Sequence, residues 1–159
     1  MTLKKILTEP NKILREKSLK VDRVDEDLQK LIDDMLETMY AAPGIGLAAI
    51  QVGVPKRVIV LDIGWRDKPV IINDEKQKEI KNPMCFVNPE IITKSANNSI
   101  YEEGCLSVPG QFAEIERPDK CHIKYLDYYG QPKELVAEGM LATCIQHEMD
   151  HLEGILFID

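Results

Sequence analysis

The residues best able to do chemistry in this 159-residue chain are His147-Glu148-Met149-Asp150-His151. Side chains four apart on a helix stand over one another, roughly 5–6 Å apart at Cβ. A helix here would turn both imidazoles to one face, where they can share a metal ion. Glu148, beside the first ligand, is placed to take a proton from a water at an open coordination position. The plainer alternative is a surface helix with two solvated histidines. It makes Gln146, His147, Glu148, Asp150 and His151 a coincidence in a chain with only three histidines.

A catalytic metal of this kind needs a third protein ligand and an open fourth position. After His151 the sequence offers only Glu153 and Asp159, and Glu153, two positions along the helix, points away. The third ligand is therefore expected upstream, among Cys85, Cys105, Cys121, His122 and Cys144. Cys144 shares the helix face, but a seven-residue rise of about 10 Å is too long for it to grip the same ion as His151. It is expected to be pocket wall. Cys85 and Cys121 lie in strand-like runs and read as small core residues, with His122 as an edge histidine. Cys105 stands in Glu102-Glu103-Gly104-Cys105-Leu106-Ser107-Val108-Pro109, where Gly104 allows close backbone approach and Pro109 is expected to end the segment. A lone cysteine is ordinarily a buried structural thiol; the need for an upstream ligand favours Cys105.

A further segment, Gly44-Ile45-Gly46-Leu47-Ala48-Ala49-Ile50-Gln51, lacks the Lys and Ser/Thr of a phosphate loop. It reads as a tight packed turn, but Gln51 is a neutral amide donor suited to holding a developing oxyanion.

These side chains need elements to position them. Leu28, Leu31, Ile32, Met35, Leu36 and Met39 form one apolar stripe at helical spacing, predicting a helix over 25–40. Asp25 can cap it, Glu26 and Asp27 suit its first turn, and Ala42-Pro43-Gly44 stops it. Val58–Ile63 reads as a buried strand, 64–82 as a polar surface excursion, and Met84–Thr93 and Cys121–Asp127 as strands. Tyr129-Gly130 suits a hairpin turn into Lys133–Val136. The second helix should run from Met140 to Leu152, ended by Gly154. Strands bracketed by two helices indicate α+β rather than a βαβ repeat.

Composition bounds the rest. A hydrophobic content of 44% and a charged content of 30% fit a globular chain with one core. The net charge of −7 opposes broad binding to nucleic acid or anionic lipid. No apolar run reaches the length of about 18 residues needed to span a membrane. The opening Met1-Thr2-Leu3-Lys4-Lys5-Ile6-Leu7 has neither the apolar core nor the cleavage site of a signal peptide. The expectation is a cytoplasmic protein whose four cysteines stay free.

Taken together, Gly44–Gln51, Glu103-Gly104-Cys105-Leu106-Ser107 and Gln146-His147-Glu148-Met149-Asp150-His151-Leu152 resemble, in order, the three signature motifs of the peptide deformylases. The resemblance runs from about Pro10 to Phe157. It implies an α+β fold of antiparallel β-sheets packed around a central metal-binding α-helix, in one catalytic domain over 1–159. It implies one divalent ion per chain, held by Cys105, His147 and His151. The family's physiological ion is Fe²⁺, replaceable by Zn²⁺, Ni²⁺ or Co²⁺, and a Cys/His₂ site suits several of these.

The substrate implied is the N-formyl-methionyl end of a nascent chain, with formate released. Glu148 would activate the water, while the Gln51 amide and the Leu106 backbone N–H would stabilise the oxyanion. Ile45, Gly46 and Gly104 would pair with the substrate backbone. Ile45, Met140 and Cys144 would line the methionine pocket, where soft walls suit a thioether.

The rival expectation, an HExxH metallopeptidase acting on unformylated peptides, requires a downstream ligand. A metal-storage module would close the fourth position and leave Glu148 without a task. Many bacterial members continue into another helix where this chain stops, and the stretch around Asn73 to Asn82 is longer than in compact members. Leu156-Phe157-Ile158-Asp159 carries no Lys or Arg, so ribosome contact is expected to be transient or weak. Lys4, Lys5, Lys12, Arg15, Lys17 and Lys20 read as an ordinary solvated face. Neither nucleic-acid sequence recognition nor a membrane partner is expected.

Overall fold

The computed structural model describes residues 3–42, 44–63, 70–72, 75–77 and 82–159. The first helix, α1 (Glu26–Ala41), forms as its apolar stripe requires, burying Leu28, Leu31, Ile32, Met35 and Met39. The Asp25 carboxylate accepts from the Leu28 N–H at 2.9 Å, satisfying one of the orphan donors of the first turn. At the far end the Gly44 N–H donates to the Met39 carbonyl; Pro43, expected to help stop the helix, lies outside the described residues.

The strands follow in chain order: β1 (Gly46–Ala48), β2 (Val58–Leu61), β3 (Val70–Ile72), β4 (Glu75–Gln77), β5 (Met84–Lys94), β6 (Asn98–Cys105), β7 (Val108–Pro118), β8 (Lys120–Leu126) and β9 (Pro132–Glu138). The second helix, α2 (Gly139–Leu152), closes the order. Five strands form one sheet in the order β1-β2-β5-β8-β9, while β3-β4 and β6-β7 are separate two-stranded ribbons. All the pairings between these strands are antiparallel, so the expected fold class holds.

Period-two alternation divides the core between the helices. Leu47, Val58, Val60 and Val87 pack toward α1, whereas Ala48, Ile59, Leu61, Phe86 and Ile123 pack with Ala142, Ile145, Met149 and Leu152 of α2. This is why β2 is an unbroken apolar run: both of its faces are covered. The Tyr129-Gly130 turn forms as expected, with Gly130 at φ 79 and its N–H donating to the Asp127 carbonyl.

Two expectations need correction, and one element was not foreseen. Pro109 does not end its segment; it is the second residue of β7, near a strand start where a missing N–H is tolerated. His122 is not at an edge, because β8 pairs with β5 on one side and β9 on the other. The β6-β7 ribbon itself was not anticipated. Its inward face mixes Glu103 and Arg117 with Cys105, Ala113 and Ile115, which leaves no apolar alternation to read. Of the 64–82 excursion, the backbone of β3 and β4 forms a ribbon, and the remainder apart from Asn82 lies outside the described residues.

α2 is buried at Ala142–Met149 and again at His151 and Leu152. Its exit turns on Gly154, at φ 75, where a Cβ would run into the Arg15 carbonyl. Cys85, Cys105 and Cys121 are free thiols. Among the described residues no helix is long and apolar enough to cross a membrane.

Candidate active site

α2 carries His147 and His151 on one face, their ring centroids 5.2 Å apart. The tight turn of the β6-β7 ribbon brings Cys105 onto them. One ligand atom each from Cys105, His147 and His151 lies within 4.8 Å of the others, and Cys105 Sγ is 3.4 Å from His151 Nε2. Of the upstream candidates, Cys105 is the one the fold brings to the two histidines. Cys85, Cys121, His122 and Cys144 are not part of this cluster.

Two residues that the sequence reading missed orient the first histidine. Glu103 Oε1 is 2.8 Å from His147 Nδ1, which leaves Nε2 for the cluster. Arg117 then grips Glu103 through both carboxylate oxygens, at 2.6 and 2.9 Å, and reaches Asp150 at 2.8 Å. The chain of contacts leaves α2 at His147 and returns to it at Asp150. Glu103 carried a usable signal, since it lies two residues from Cys105 on a strand and so shares its face. Arg117 carried none, because its position depends on the ribbon's register, Ser99 opposite Arg117.

Burial and charged neighbours shift the two histidines in opposite directions. Burial pulls His147 toward neutrality, but hydrogen bonds to Cys105 and Glu103 outweigh it and push its pKa up to about 10. Burial is also the largest influence on Glu103, yet its bonds to His147 and Arg117 hold the carboxyl below its usual value. His151 is pulled down to about 3, first by burial and then by the charge on His147. Burial lifts Glu148 to about 7, against the pull of His147.

Glu148 is 6% exposed, and its Oε1 and the Nδ1 of His151 are buried atoms without a hydrogen-bond partner. Glu148 Oε1 lies 4.0 Å from His151 Nε2. A Cβ on Gly46 would run into the Glu148 carboxylate, so only glycine lets β1 approach this closely.

Gln51 is 1% exposed in the 3-10 turn after β1. Its Oε1 accepts from the Ala48 N–H at 2.9 Å, which aims Nε2 at Ser107 Oγ, 3.0 Å away, and Cys105 Sγ, 3.5 Å away. Ser107 is the third residue the sequence reading missed; it is fully buried, and nothing but its neighbourhood to Cys105 marked it.

A cleft of about 560 Å³ runs past these groups, lined by Ile45, Gly46, Gln51, Gly104, Cys105, Leu106, His147 and Glu148. β1 and β6 each pair with one described strand only, and both flank the cleft. A smaller recess of about 100 Å³ opens beside it, walled by Ile45, Met140, Thr143 and Cys144. Ile45, Gly46, Gln51, Gly104, Cys105, Met140, Cys144, His147 and Glu148 thus line these two adjoining spaces, with Leu106 in the turn at the rim, while Cys85, Cys121 and His122 lie elsewhere.

The family model for polypeptide deformylase matches residues 3–159. A peptide deformylase of Pelagibacter ubique is 62% identical over all of this chain and 86% of that protein. The crystal structure of peptide deformylase from Ehrlichia chaffeensis in complex with actinonin superposes with a TM-score of 0.89 at 42% identity, covering 99% of this chain and 88% of that one. The peptide deformylase of Thermotoga maritima gives 0.88 at 38% identity, covering 100% and 97%.

Proposed function

The chain belongs to the polypeptide deformylase family, enzymes that remove the N-formyl group, and from that membership we propose the roles of its individual residues. The observation that carries the reading is the meeting of Cys105, from the β6-β7 ribbon, with His147 and His151, while the unpartnered Glu148 Oε1 stands beside them. One thiolate and two imidazoles fit a single divalent ion and leave a position open. The proposed ion is Fe²⁺, with Zn²⁺, Ni²⁺ or Co²⁺ as replacements. A metal held there supplies Lewis-acid activation of water and of the formyl oxygen.

The chain's own groups do the rest. Gly46 and Gly104, on the open edges flanking the cleft, take the substrate backbone with Ile45 in strand fashion. The methionine side chain enters the recess of Ile45, Met140 and Cys144. Glu148 Oε1 takes the proton of the attacking water. The Gln51 Nε2 and Leu106 backbone N–H groups donate to the oxygen on which negative charge develops. Glu148 returns its proton to the amine nitrogen as the C–N bond breaks, giving formate and a free α-amino terminus.

Because the third ligand comes from upstream, the geometry does not favour an internal-bond metallopeptidase. The substrate places the reaction in the cytoplasm, on nascent chains. The net charge of −7 supports a transient rather than a steered approach to the ribosome. Metal-loaded protein offered formyl-Met-Ala-Ser and Met-Ala-Ser side by side tests the reading. Formate release from the first with no cleavage of the second is expected; the reverse pattern overturns it.

A further inference from the structure

Gln51 and Ser107 face each other across two sheets that share no strand pairing. Gln51 follows β1 of the five-stranded sheet, and Ser107 sits in the turn of the β6-β7 ribbon. Side-chain packing alone would leave their separation soft. The N-terminal segment spans the gap. The Leu7 N–H donates to the Gln51 carbonyl at 2.7 Å, and the Glu9 N–H donates to the Ser107 carbonyl at 2.8 Å. With the bond from Gln51 Nε2 to Ser107 Oγ at 3.0 Å, these contacts close a ring through Leu7, Glu9, Ser107 and Gln51.

The segment is itself anchored at both ends. The Lys4 N–H donates to Thr38 Oγ1 on α1 at 2.9 Å, and the Ser18 N–H donates to the Leu152 carbonyl at the end of α2 at 2.8 Å. Ile6, immediately before the ring, lines the cleft and packs with the α1 core.

We propose that Leu7–Glu9 is a positioning strap, which fixes the Gln51 amide against the Cys105 turn and so sets where the oxyanion donor points. The strap touches no reacting atom and acts through Gln51; its catalytic consequence rests on the role given to Gln51 above. A donor of this kind works only when aimed at the place where charge develops, and a misplacement of about 1 Å can cost about 10²-fold in rate. Two backbone N–H donors suit the task better than side chains, because each adds no rotamer freedom of its own.

The test removes one donor. Leu7→Pro deletes the N–H that holds the Gln51 carbonyl; leucic acid incorporated at position 7 does the same with an ester oxygen, and it serves if the proline variant fails to fold. With formyl-Met-Ala-Ser, kcat should fall about 10- to 100-fold, while KM and metal content stay close to those of the parent protein. The same change in a Gln51→Ala background should cost nothing further, because the residue it acts through is gone. The side-chain amide resonance of Gln51 in ¹⁵N-labelled protein should shift in the position-7 variant. An equal fold loss in both backgrounds overturns the strap, and so does an unmoved Gln51 resonance. A parent protein that releases no formate overturns the assigned reaction instead, and the resonance then decides the strap alone.

Discussion

Glu103 Oε1 lies 2.8 Å from His147 Nδ1, and both side chains are buried. A strand residue thereby orients a helix residue, and the Arg117 guanidinium holds that strand residue in turn through two bonds. Removing the carboxylate leaves His147 free to rotate and Arg117 facing only Asp150. Losing such an outer partner typically weakens metal binding by about 10- to 100-fold. Glu103→Ala should therefore need correspondingly more free metal for half-occupancy in a chelator-buffered titration. Unchanged affinity would show that packing alone fixes the ring.

Metal content separates the cysteines. Cys105→Ser should leave the purified protein largely without metal, whereas Cys85→Ser and Cys121→Ser should retain one ion per chain. Cys121 is buried in the core, and burial raises the Cys85 thiol to about 11, so neither is poised to act as a ligand. Elemental analysis after desalting reads the outcome. A Cys121→Ser protein without metal beside a loaded Cys105→Ser protein would falsify the assignment.

In the proposed mechanism Glu148 moves protons and does not hold the ion. Glu148→Ala should keep the metal and lose about 10²–10⁴ in kcat, the usual cost of deleting a general base. Turnover measured beside metal content in the same preparation checks this. Near-normal turnover in loaded protein would sink the mechanism.

With iron in the site, activity should decay in air and persist under a reductant or with nickel substituted, because a thiolate ligand beside a redox-active ion is open to oxidation. Paired incubations with and without oxygen, assayed at intervals, test it. Equal lifetimes would count against a Cys105–iron bond.

Gly154→Ala tests the exit from α2. The position has φ 75, and the added Cβ would meet the Arg15 carbonyl. Left-handed strain at a non-glycine residue costs about 1–3 kcal/mol, so the thermal midpoint should drop by several degrees. Activity per loaded molecule at low temperature should change little, since Arg15 and Gly154 lie outside the cleft. An unchanged melting curve would mean that the N-terminal segment gives way without cost.

How much of this was legible in the sequence differs from element to element. α1 and α2 were read within a residue or two at their ends, because a buried helix face repeats every 3.6 residues and Asp25 and Gly154 mark their limits. β2, β5, β8 and β9 followed from apolar runs and the Tyr129-Gly130 turn. The pairing of His147 with His151 was also local, since helix geometry alone sets it. Even the expectation of an upstream third ligand came from counting donors along the chain.

Only the tertiary structure decided what depends on distance across the fold. The β6-β7 ribbon buries Glu103 and partly buries Arg117, charged residues whose removal from water is offset only once each faces the other, and no local pattern announces that. The strap from Leu7 to Glu9 is invisible for a different reason. It acts through backbone N–H groups, which every residue but proline possesses, so its side chains carry no record of the contact. Sequence shows which side chains can do chemistry; which of them meet, and what holds them at working distance, is settled by long-range packing and backbone hydrogen bonds.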